Sequence, residues 1–255
     1  MDLGRGRCLA LAVMVVCWSL GWGTGTGIAA SRLKVAATIF PLYDLIRQVA
    51  GPDLDVTLLL PPGASPHTAT FTPSMIRALT GSAALSIIGH GLDDWAARLA
   101  SDAGVPHTIR VDKGIALQAF EPPIDSDASE HGQANFHHGT EHTVDPHYGL
   151  TIPNTVQIVR TITAVLKRLD ATDQQGYEQR AASYITQLQA ADADIRQVLA
   201  KVPRREMAQF HAAFAYFAAA YGMKIVATFE SSPGREYYID MMRFNAAQVA
   251  STLRN

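Results

Sequence analysis

Three histidines stand at the ends of separate segments, and their placement is the chemistry this chain offers. His67 closes the turn Pro61-Pro62-Gly63-Ala64-Ser65-Pro66-His67, which cuts off the apolar run Leu58-Leu59-Leu60. His147 ends Asp145-Pro146-His147, and His211 ends Glu206-Met207-Ala208-Gln209-Phe210-His211. Proline fixes φ and the turn residues stop the strand, so the His67 imidazole has a nearly fixed place above a strand's carboxyl end. In open α/β sheets ligands bind at that edge. Neutral imidazole suits Zn²⁺, Cu²⁺, Ni²⁺ or Fe²⁺ better than Mg²⁺ or Ca²⁺. Any one of these histidines alone reads most simply as a loop or capping residue. Three at comparable places on distant segments make a metal shell.

A shell of three histidines and water also describes a catalytic zinc site, so a zinc hydrolase is one reading. Against it, the chain has no His-Glu-x-x-His pattern, and Glu206 and Glu230 lack a paired partner at useful spacing for acid/base work. The remaining histidines differ in setting. His131, His137, His138 and His142 fall within twelve residues of a polar stretch that holds Pro122-Pro123. A His-rich loop over residues 121–144 is expected, an auxiliary metal binder without fixed geometry. His90 follows an apolar run and reads as a turn or rim residue, and His107, after Pro106, as solvent-facing. Trp95, Phe214, Tyr216 and Phe217 sit at helical positions and read as core or interface residues.

The elements that position these side chains alternate. Strands are expected over Lys34 to Phe40 (closed by Pro41), Leu54 to Leu60, Ala84 to Gly89 and His107 to Val111. Helices are expected over Leu42 to Ala50, Pro73 to Thr80 behind a Thr72 cap, and Asp93 to Ala103. Strand–helix alternation with short connections argues for a mostly parallel sheet. Helical periodicity returns over Asn154 to Leu169 and over Asp173 to Val202. The second run is about thirty residues, roughly 45 Å at the helical rise. Beyond Pro203 come a short strand to Phe210, a helix from Ala212 to Tyr221, a strand from Lys224 to Phe229 and a helix from Tyr238 to Leu253.

Bulk properties narrow the setting. At 255 residues, 48% of them hydrophobic, the chain can bury a substantial core. Arg5 and Arg7, the apolar run Leu9 to Leu20 and small residues up to Ala29-Ala30 read as a secretory signal peptide over residues 1–30. The apolar stretch is short for a membrane span, so no stable membrane insertion is expected after cleavage. Both cysteines, Cys8 and Cys17, lie in that segment. Removing Asp2, Arg5 and Arg7 leaves 19 basic and 22 acidic residues, a formal charge of −3, which gives no reason to expect nucleic acid as a partner.

In order along the chain stand Val35-Ala36-Ala37-Thr38-Ile39-Phe40-Pro41-Leu42-Tyr43-Asp44, the Pro61 to His67 turn, Gly89-His90-Gly91-Leu92-Asp93-Asp94-Trp95, Asp145-Pro146-His147, and His211-Ala212-Ala213-Phe214-Ala215-Tyr216-Phe217 with Tyr221-Gly222 beyond. Together these resemble the periplasmic metal-binding receptors of zinc/manganese ABC importers, the cluster A-I solute-binding proteins, of the high-affinity zinc uptake type. The resemblance implies two α/β lobes with mostly parallel sheets, joined by one long rigid helix. On that plan residues 31–170 form the first lobe, 171–202 the linking helix and 203–255 the second lobe. It implies metal ligation by His67 and His147 from the first lobe and His211 from the second, with Zn²⁺ as transported ligand and Mn²⁺ as the alternative. It also implies a monomeric, non-enzymatic receptor in the periplasm or otherwise outside the cytoplasm, whose partner is an ABC importer permease. A metal-binding adhesin or metal buffer of the same family is the alternative role.

The chain departs from the family after Ser231-Ser232-Pro233-Gly234-Arg235-Glu236. There the family continues through further strand–helix units, one ending in an Asp that often supplies a fourth ligand. Here Tyr238 to Leu253 already resembles the closing helix. An internal deletion of roughly fifty residues is expected, about a third of a typical domain. The second lobe is then abbreviated and the fourth ligand missing. Water, Asp145, Glu230 or a loop residue would complete the shell, with weaker or less selective binding than in a full-length relative.

Overall fold

The structure, a computed structural model, describes residues 32–120, 144–209 and 211–228. The expected signal peptide, the four loop histidines, Glu230 and the closing helix over 238–253 lie outside the described residues, as does the proposed point of deletion.

The first lobe is built on β1 (Lys34–Ala37), β2 (Asp55–Leu58), β3 (Ala84–Ile87) and β4 (Thr108–Arg110), all parallel, in the order β2-β1-β3-β4. Period-two alternation divides the strands between two faces. Val35 and Ala37 join one buried cluster with Leu42, Ile46, Ile158 and Ile162. Ala36, Leu85 and Ile87 join the other with Leu79 and Leu99. All four residues of β3 are buried, as expected of a parallel strand covered on both faces.

The crossover helices are α1 (Phe40–Ala50), α2 (Pro73–Leu79) and α3 (Trp95–Asp102). Pro41 does not close β1, which already ends at Ala37. It lies in the first turn of α1, where a missing N–H leaves no helical bond unmade. Gly51 ends α1 at φ +68°, a conformation natural to glycine. Thr72 takes the cap position of α2, but its hydroxyl pairs with Ser74 Oγ at 2.7 Å and makes no cap bond. The working cap is Thr151, whose Oγ1 accepts from the Asn154 N–H at 3.3 Å at the start of α4 (Ile152–Leu169).

α5 (Gln174–Ala200) has 27 residues, about 40 Å of helix. Its first half is held to the first lobe. Arg180 Nε donates to the Val49 carbonyl at 2.7 Å, and the Tyr177 hydroxyl donates to Asp170 at 2.7 Å. Its second half holds the other lobe, with Asp192 accepting from the Tyr221 hydroxyl at 2.8 Å and Arg196 donating to the Ala220 carbonyl at 3.1 Å. That lobe contains β5 (Glu206–Gln209), α6 (Ala215–Tyr221) and β6 (Lys224–Thr228). β5 and β6 pair in parallel, with an irregular register between Met207 and Ala208. The fold is thus α/β, two lobes with parallel sheets joined by one long helix. The second sheet has two strands among the described residues, against four in the first.

Candidate metal centre

His67 lies in a single 3-10 turn, Pro66–Thr68, on the connection leaving the carboxyl end of β2. The turn is tied down from α3: Trp95 Nε1 donates to the Pro66 carbonyl at 3.1 Å. Trp95 is therefore half-buried and supports the turn directly, beyond the packing role its helical spacing implies.

His147 opens another 3-10 turn, His147–Leu150, just before α4. Asp145, 2% exposed, grips it twice, its Oδ1 accepting from the His147 backbone N–H and from Nδ1, both at 2.8 Å. An ionised carboxylate only accepts, so Nδ1 carries the proton and Nε2 presents a lone pair. The Asp145 carboxylate thus lies behind the His147 ring, on the side of Nδ1 and away from Nε2. The sequence offered Asp145 as one of several groups that could complete the shell, and the structure shows it bonded to His147. The signal was available: an acidic residue two positions before the histidine, across a proline.

His211 lies between β5 and α6. Gln209 braces this connection, its Oε1 accepting from the Phe214 N–H at 3.1 Å and its Nε2 donating to Thr228 Oγ1 at 2.9 Å. A tight turn follows, the Ala213 N–H donating to the His211 carbonyl at 2.7 Å, and α6 starts at Ala215 and not at Ala212. His211 as a whole is exposed, yet its basicity is lowered, first by partial burial of the ring and then by His147 beside it, with Asp145 opposing.

The three imidazoles converge. Ring centroids are 5.7 Å apart for His67 and His147, 5.2 Å for His67 and His211, and 5.0 Å for His147 and His211. One ligand nitrogen from each lies within 4.8 Å of the others, and Nε2 of His147 and His211 are 3.2 Å apart. Tetrahedral zinc with bonds of 2.0–2.1 Å sets ligand atoms ~3.3 Å apart. The His147–His211 pair already has that spacing, and the widest pair must close by about 1.5 Å at most. Among the described residues no fourth His, Cys, Asp or Glu joins the group.

The remaining sequence-singled residues are elsewhere. His90, at φ +55° between Gly89 and Gly91, bonds Asp112 at 2.8 Å and stays at the rim, as expected. His107 is exposed. Glu206 pairs with Arg204 at 3.4 Å. One buried group, within the Gly89 to Trp95 motif, has a structural task that the motif did not announce. Asp93, fully buried, accepts from the Thr38 hydroxyl and from the Ile88 and Gly89 N–H groups at 3.0 and 2.7 Å, fastening the carboxyl ends of β1 and β3.

Comparison with known proteins agrees with this architecture. Residues 35–252 match the family model described as zinc-uptake complex component A, periplasmic. The high-affinity zinc uptake system protein ZnuA of Bacillus subtilis is 28% identical over 205 residues, 80% of this chain and 63% of that protein. The zinc-binding lipoprotein AdcA of Streptococcus pneumoniae is 27% identical over 210 residues, 82% of this chain and 41% of that protein. The chain thus spans less than two thirds of the length of either relative. A crystal structure of ZnuA superposes with a TM-score of 0.72 at 23% identity, covering 86% of this chain and 79% of that one, a likeness of fold. With 218 consecutive positions matched, this chain belongs to the ZnuA family of periplasmic zinc-uptake components.

Proposed function

We propose that this protein captures Zn²⁺ outside the cytoplasmic membrane through His67, His147 and His211 and hands it to the permease of an ABC importer. The observation that carries the reading is the convergence of three imidazole nitrogens, from segments 64 residues or more apart, within 4.8 Å. An all-nitrogen shell favours Zn²⁺ over the harder Mn²⁺, which prefers more oxygen ligands. Membership of a family described as a zinc-uptake complex component, and a relative named as part of a zinc uptake system, support the reading of an importer as partner.

The chain works as a monomeric receptor and not as an enzyme. Among the described residues the carboxylate beside the site, Asp145, is committed to His147 and is not free to act as the general base of a hydrolytic reading. Export on the segment over residues 1–30 places the protein where import requires it. Residues 31–170 and 203–255 act as the two lobes about the helix 171–202, and water takes the fourth metal position. No helix among the described residues is long and apolar enough to cross a membrane.

The test is competition against a chromophoric zinc chelator for the wild-type chain and for His67→Ala, His147→Ala and His211→Ala. Each substitution should weaken the tight site at least tenfold while the other two histidines stay in place. Unchanged affinity in all three variants contradicts the assignment.

A further inference from the structure

Tyr216 lies on α6, in the second lobe, yet its hydroxyl bridges two strands of chain in the first. It donates to the Asp145 carbonyl at 3.1 Å and accepts from the Gln118 N–H at 2.8 Å. Those two residues are themselves joined, the Asp145 N–H donating to the Gln118 carbonyl at 2.9 Å beside an antiparallel bridge between Ala119 and Val144. The ring is 3% exposed and meets Tyr148 edge to face at 6.5 Å. One donor and one acceptor use the hydroxyl fully. Burial raises its pKa, so the donated proton stays in place at physiological pH.

The position of this bridge matters more than its strength. Asp145 offers its carbonyl to Tyr216 and its carboxylate to His147, while His211 precedes the same helix α6 by four residues. A single hydroxyl therefore sets the backbone that aims His147 against the element that delivers His211. A phenylalanine would fill the same volume and bury the same ring, so packing alone gives no reason for the oxygen.

We propose that Tyr216 is a positioning residue for metal retention: its hydroxyl registers the Asp145–His147 unit against α6, so that the first-lobe and second-lobe ligands hold one ion together. The proposal rests on the three-histidine reading above. Loss of the hydroxyl leaves all three ligands and the His147–Asp145 bond present but frees the two lobes to part at the site.

The experiment loads the full chain with one equivalent of Zn²⁺ and follows release into excess chelator, with Co²⁺ as a spectroscopic probe of shell geometry. Tyr216→Phe is compared with Tyr177→Phe, which loses a hydroxyl bond to the Asp170 carboxylate, away from the site. Tyr216→Phe should release zinc about tenfold faster or more, the range for removal of an outer-shell partner, and should alter the Co²⁺ visible bands. Tyr177→Phe should lower the melting temperature and leave release within about twofold of wild type, a change too small for a lost outer-shell partner. In the wild-type chain, zinc loading should slow hydrogen exchange at the Gln118 amide, a readout that does not depend on any variant. Wild-type release from Tyr216→Phe, equal acceleration by Tyr177→Phe, or Gln118 exchange indifferent to zinc each overturns the proposal. A wild-type chain that holds no zinc defeats the three-histidine reading itself, and this proposal with it.

Discussion

Replacing Asp145 by asparagine removes one charge and keeps the shape, which makes it a sharp perturbation of the site. In the native chain Oδ1 receives two donors, the His147 backbone N–H and Nδ1–H, each at 2.8 Å. The amide oxygen can still accept both, so the ring should stay in place. What is lost is the negative charge behind Nδ1, which makes Nε2 a better donor to a cation. Loss of an outer-shell partner lowers metal affinity by about 10–100-fold. Because geometry is retained, the lower end applies, about tenfold, or ~1.4 kcal/mol. Folding should survive, since the substitution relieves the burial of a charge that is only 2% exposed. The assay is chelator competition at pH 7.5 beside a thermal melt of the metal-free chain. Asp145→Ala, which drops both bonds, should cost more than Asp145→Asn. Affinity within twofold of wild type for both variants would refute the claim that this carboxylate tunes His147.

The depressed basicity of His211 gives a direction for pH. Partial burial first, then the neighbouring His147, hold its folded-state pKa below the ordinary 6.5, so the unfolded chain protonates there first. The associated stability is present above about pH 6.5 and is lost as pH falls through the folded-state value; melts of the metal-free chain should show this decline, and His211→Gln should flatten it. Zinc affinity should fall over the same acid range, because the ligands must be neutral to bind, and an affinity constant between pH 7.5 and 5.5 contradicts histidine ligation. Gly89→Ala should destabilise the chain by about 1–3 kcal/mol, since φ is +79° and a new Cβ would stand 2.3 Å from Arg110 Cδ. Chemical denaturation measures that loss, and a variant as stable as wild type contradicts it.

The first lobe was legible because its signals are local. Proline and glycine mark the ends of α1 and α2, and near-continuous apolar runs mark β1 and β3 as buried strands. The errors fall where a side chain outranks a local preference. Pro41 reads equally well as a strand end or a helix start, and the choice depends on where β1 stops. The Thr72 hydroxyl has a competing partner in Ser74, and α6 starts only after a tight turn in which the Ala213 N–H donates to the His211 carbonyl. At the site, breakers beside His67 and His147 announced fixed positions. No spacing rule could announce the arrangement behind them, because Asp145 reaches Tyr216 across 71 residues and Trp95 reaches Pro66 across 29. Such pairings depend on how α3 and α6 pack, which is a property of the folded core.

The central claim is that one zinc ion binds between His67, His147 and His211. The most direct measurement is anomalous diffraction at the zinc edge from crystals of the chain loaded with a single equivalent of Zn²⁺. The account predicts one strong peak about 2.0–2.1 Å from a nitrogen of each of the three imidazoles, with water in the remaining position. A peak elsewhere, or one that persists at this place after His67→Ala and His211→Ala are combined, would contradict it.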